Sequence, residues 1–142
     1  MDQQTARQAA QELLRPCGLL GYLVGRGDWW PSEDHLKLGK SAIARVMGTT
    51  YFLLDPVWRL YPSLDPGRVS DPLGLNDQIL ALHDTPEDLA SLLHELEVAV
   101  SRLTPVLMKE LPTAREDLVR NAEDVVAAIR RAEEVVRVTE LR

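Results

Sequence analysis

The residues of this 142-residue chain that could carry chemistry begin with three histidines, His35, His83 and His94, and one cysteine, Cys17. A dinuclear metal site in a helical bundle takes a Glu three residues before a His on each of two helices. The residues at that offset here are Ser32, Leu80 and Ser91, so no metal or other cofactor is expected. His94 shares a helical face with Glu87 and lies near Glu97, but that face turns away from the apolar seam described below. Metal sites of bundles project inward. Cys17 falls on an apolar stripe with no His near it in sequence, the setting of a small buried hydrophobe and not of an activated nucleophile.

Gly39-Lys40-Ser41 has the ending of a phosphate-binding loop, yet the required first Gly falls on Asp34 and no strand precedes it. No catalytic residue is assigned. The remaining set is aromatic. Trp29, Trp30 and Trp58 all lie at breaks in the helical pattern, and Arg59 and Tyr61 follow Trp58. Trp, Tyr and Arg are the residue types of interface hot spots, which makes these five the candidate binding residues. The competing role is to plug the ends of a bundle where short helices meet.

Composition narrows the partners. The net charge is −6, and the arginines from Arg102 onward are interleaved with carboxylates. A nucleic-acid binder gathers its cations on one face to displace counterions, so nucleic acid is disfavoured. With 45% hydrophobic and 27% charged residues the chain matches globular proteins and is not wholly disordered. No apolar run approaches the roughly 18 to 20 residues that span a bilayer. A lone cysteine and a start, Met-Asp-Gln-Gln-Thr, without the pattern of a secretory signal predict a cytoplasmic protein.

The elements that position these residues are helices. Leu89, Leu93, Leu96, Val100, Leu103 and Leu107 repeat in a 4-3 alternation, as do Leu118, Ala122, Val125, Ile129, Ala132 and Val136. Two such stripes predict a C-terminal antiparallel helical hairpin over 85–138. Its first helix begins with Thr85 as cap and Pro86 at the first helical position, and is expected to kink at Pro105. Pro112 stops it, and Thr113 to Glu116 form a capping box for the second. Glu116 with Arg120 and Glu133 with Arg137 stand at the favourable i to i+4 offset on a solvated face.

Upstream, residues 1–60 form N-terminal helices. The first is either kinked or divided at Pro16. The second is capped by Ser32, and a short third starts with Asp55 as cap and Pro56 at the first helical position. Between them and the hairpin, residues 61–76 are a Pro- and Gly-rich crossover, followed by a short helix over about 76–83. The expected architecture is one all-α domain over 1–142, a helical bundle of about five to six helices. One observation goes further. Beside the last seam, Val119 and Val126 widen the apolar face on one flank, and Ala128 and Val135 widen it on the other. One partner helix cannot cover such a face, so the N-terminal helices or a second copy of the chain must pack there.

From these readings the expected function is a small protein-interaction or adaptor module, a homodimer or other homo-oligomer, binding through the tryptophan region or the flank of the last helix. The alternative is a helical enzyme or small-ligand sensor with a pocket under the 61–76 crossover, using Asp55, Arg59, Tyr61 and Asp77.

Overall fold

A computed structural model describes residues 1–25, 30–77 and 88–140. The protein is an all-α bundle, with helices α1 (Gln3–Val24), α2 (Glu33–Leu53), α3 (Asp55–Leu60), α4 (Leu89–Glu110) and α5 (Arg115–Glu140). All regular structure among the described residues is helical, and no helix there is long and apolar enough to cross a membrane.

The apolar stripes become the core. All six seam positions of α4 are buried, and so are Leu118, Val125, Ile129, Ala132 and Val136 of α5. Ala122 is half-buried. From α1 the core receives Ala6, Ala10, Leu13, Cys17, Leu20 and Val24. α1 runs unbroken through Pro16, which is itself buried. Between α1 and α4, Arg15 pairs with Glu95 (3.0 Å) and Arg102 with Glu12, so the two helices run in opposite directions. The most extensive partner of α5 is α2, ahead of α4.

Three local expectations change. The cap of α4 is Asp88, whose carboxylate accepts from the Ser91 amide (2.6 Å), while Thr85 and Pro86 lie outside the described residues, as does most of the expected 76–83 helix. As expected, α4 contains Pro105 and runs on to Glu110, and the Thr104 hydroxyl donates to the Val100 carbonyl (2.6 Å). Thr113 sits inside a 3₁₀ turn, Pro112–Ala114, that leads directly into α5, so it is not placed to cap. Asp55 is the first residue of α3 and not its cap, because the Leu54 carbonyl already accepts the Val57 and Trp58 amides (2.9 and 3.0 Å). Its carboxylate pairs instead with Arg59 (2.8 Å).

The crossover is held down along its length. Leu64, Leu73 and Leu75 are buried. From α1, Arg7 Nη1 donates to the Pro72 carbonyl and Gln11 Nε2 to that of Leu73, both at 2.9 Å. Asp65, buried despite its charge, accepts from Tyr51 Oη (2.5 Å) and the Gly67 amide (2.8 Å). Asp71 takes a left-handed conformation (φ 47°), which Asp tolerates better than most residues. There its carboxylate accepts the Leu75 and Asn76 amides (2.9 and 3.2 Å) and caps the helical turn at 75–77.

Candidate functional site

The four described candidates, Trp30, Trp58, Arg59 and Tyr61, do not form one surface. Trp30 is 3% exposed, and its Nε1 donates to the Val24 carbonyl (3.2 Å). Its ring lies so close to Gly39 that an added Cβ there would fall 2.3 Å from it. Trp58 is 4% exposed and donates to the Tyr51 carbonyl (3.1 Å), with its ring tilted against that of Tyr51 at 5.7 Å between centroids. Gly39 and Tyr51 stand twelve residues apart on α2, about 18 Å, so the two tryptophans anchor different ends of that helix. Arg59 is exposed and paired to Asp55. Tyr61 is half-buried, with its hydroxyl donating to the Met1 carbonyl (2.5 Å). Trp29 lies outside the described residues.

The flanks of α5 differ. Ala128 and Val135 are buried, whereas Val119 is 39% exposed and Val126 half-buried. On the open side α4 and α5 enclose a shallow groove of about 620 Å³, lined on α4 by Val100, Ser101, Thr104 and Pro105 and on α5 chiefly by Val119, Ala122 and Val126. Its lining is predominantly apolar, and Glu123 and Arg130 edge it. Pro105 has no amide hydrogen to offer the Ser101 carbonyl four residues earlier, and Ser101, an exposed residue of the lining, adds a polar side chain to this wall. Val98, also exposed, lines a neighbouring cleft together with Ser101.

Comparison with family models, curated proteins and solved structures finds no match. Among the described residues no three His, Cys, Asp or Glu side chains are grouped to hold a metal ion, and His94 is exposed. Cys17 is buried, and burial pushes its thiol up to about 12, so it remains protonated and is a poor nucleophile at neutral pH. Gly39-Lys40-Ser41 lies inside α2.

A second cleft, about 480 Å³, brings Phe52, Asp55, Arg59 and Leu60 against Asp117, Arg120 and other residues around the start of α5. Both of its arginines are engaged, Arg59 by Asp55 and Arg120 by Asp117 (2.8 and 2.7 Å). The sequence reading found the α5 half of the first groove through Val119 and Val126 but missed the α4 half. Thr104-Pro105 was the available signal, because a proline on the outer face of a long helix marks a place where a neighbouring backbone carbonyl is exposed.

Proposed function

We propose that this chain is a cytoplasmic protein-interaction or adaptor module that associates through the groove between α4 and α5, with a second copy of itself as partner. The observation that carries the proposal is the unequal burial of α5: its apolar face is wider than its own bundle covers. In this reading α4 and α5 form an antiparallel hairpin that serves as a rigid scaffold. In support, Ala90 and His94 line a cleft with Val136 and Arg137, while Val100 and Pro105 share the groove with Val119 and Val126. A groove built on two helices needs little ordering on association, which favours binding. The buried tryptophans set the shape of α2 and its neighbours, and the exposed valines make the contact.

The test is solution mass by light scattering over a wide concentration range, for the wild type and for Val126→Glu. The expected result is a dimer for the wild type and a folded monomer for the variant. A wild type that remains monomeric throughout removes the basis of the proposal. The small-ligand alternative has less support at the crossover, where three leucines fill the space beneath the chain.

A further inference from the structure

Glu116, Glu123, Arg130 and Arg137 lie on α5, each seven residues from the next. Seven residues fall about 20° short of two full turns, so these side chains make a nearly straight row along the helix. From first to last the row is about 32 Å long. All four are exposed, and none has an opposite charge paired to it among the described residues. Arg120 is taken by Asp117 and Arg131 by Glu134, so the sequence expectation of Glu116–Arg120 and Glu133–Arg137 pairs gives way to i to i+3 pairs that leave the row free. Val119 and Val126 border it, and Glu123 and Arg130 belong to the groove lining.

The order of charge along the row is negative, negative, positive, positive, and its midpoint falls between Val126 and Ala127. A second α5 laid parallel on it sets like charges together. Laid antiparallel about a two-fold axis through that midpoint, every charged residue meets its opposite: Glu116 faces Arg137 of the other copy, Glu123 faces Arg130, and the symmetry repeats both pairs. An isologous interface requires a surface that complements itself, and a row whose sign inverts about its centre does so. At the axis stand Val126 and Ala127, one apolar and the other small enough for the helices to approach.

The geometry points to a homodimer in which α5 packs antiparallel on α5 of a second copy, with the two-fold axis between Val126 and Ala127 and four reciprocal Glu–Arg pairs along the row. This rests on the self-association reading above and adds its direction and register. A foreign partner has no need of a sign-inverting row, and the row is what selects a second copy as the occupant.

The experiment is charge exchange in the full chain, read as the dimer dissociation constant by sedimentation. Glu123→Arg alone and Arg130→Glu alone each place two like-charged pairs in the interface and are expected to weaken the dimer by on the order of tenfold. The double variant restores opposite pairs and is expected to return to within about threefold of wild type. In parallel packing the wild type and every variant alike set like charges together, so neither single variant weakens the dimer, and that result overturns the proposal. In a Cys17→Ala background, spin labels placed at residue 137 are expected about 32 Å apart in the dimer and labels at 127 close together. A short distance at 137 overturns the antiparallel direction. A dimer that Val126→Glu dissociates but charge exchange does not rescue overturns the register alone and leaves the groove reading standing. A dimer indifferent to Val126→Glu overturns the groove reading itself.

Discussion

The two flanks of α5 are built from similar residues and meet different fates. Ala128 and Val135 are covered, on the helix whose most extensive partner is α2, whereas Val119 and Val126 face a groove open to solvent. Apolarity alone does not assign a surface to core or interface. What decides is whether the chain has another helix to lay on it. α1 and α2 occupy other faces of the bundle, and the crossover is fastened to α1 by Arg7 and Gln11. No described element is left for the second flank.

The sharpest way to break this comparison is to place the same charge on both flanks. Ala128→Glu buries a carboxylate without a partner and is expected to destabilise the fold by about 3 kcal/mol or more. Val126→Glu puts its carboxylate where water reaches, and the monomer is expected to keep its stability to within about 1 kcal/mol. Urea unfolding followed by circular dichroism measures both, at a protein concentration low enough to dissociate any dimer. Equal losses would mean that the flanks are equally buried and the comparison is mistaken.

Next in size is Gly39→Ala. The added methyl falls 2.3 Å from two atoms of the Trp30 ring, so the ring or the helix must shift, at about 1 to 3 kcal/mol. Trp30→Phe in the same chain removes the far edge of the indole and is expected to recover part of the loss in thermal unfolding. A neutral Gly39→Ala would show that Trp30 does not hold the covered side of α2 in place.

These two cases also show what was legible in the sequence. The seam positions of α4 and α5 were readable because apolar side chains at 4-3 spacing can be buried only as a helix. The breadth of the α5 face, and hence its need for a second covering layer, was readable for the same reason. Which flank would be covered was not, because Val119 with Val126 and Ala128 with Val135 offer comparable surfaces. Nor could the role of the tryptophans be read. Gly39, with no side chain of its own, leaves the space on α2 that Trp30 fills, and only the fold brings residues 30 and 39 face to face. The caps divide: Ser32 does cap α2, accepting the His35 amide, whereas Thr85 and Thr113 matched the residue preference but Asp88 and a 3₁₀ turn supply the observed starts of α4 and α5.

A smaller effect is expected at the hydrogen bond between Tyr51 and buried Asp65. Tyr51→Phe leaves the carboxylate with the Gly67 amide and Arg68 as partners (2.8 and 3.5 Å) and, because it stays partnered, is expected to cost about 1 kcal/mol. The pH dependence carries a second signature. The hydrogen bond to Asp65, with burial and the charge of Asp65 adding to it, raises the Tyr51 hydroxyl above its ordinary value, and burial raises the Cys17 thiol from 9.0 to about 12. Both groups hold their protons more tightly folded than unfolded. Below about pH 9 both contributions are fully present, and they are lost as the pH rises through the folded values, because the unfolded chain releases those protons first. Stability is therefore expected to fall on the alkaline side, with a shallower decline in Tyr51→Phe and in Cys17→Ala. A decline unchanged in both variants would assign it to other groups.

The smallest expected effect is the most direct measure of the open flank. Val119 is 39% exposed beside the groove, and Val119→Ser removes apolar surface that the monomer barely uses. Its unfolding free energy is expected to change by no more than about 0.5 kcal/mol, the range of surface substitutions. Dimer affinity is expected to drop severalfold in the same variant, because the valine is covered only when a second copy is present. The two readouts separate because they start from different states: folding buries this side chain partly, and association buries the rest. A fall in folding stability as large as that of a core valine, with no change in affinity, would place Val119 in the core and remove it from the interface.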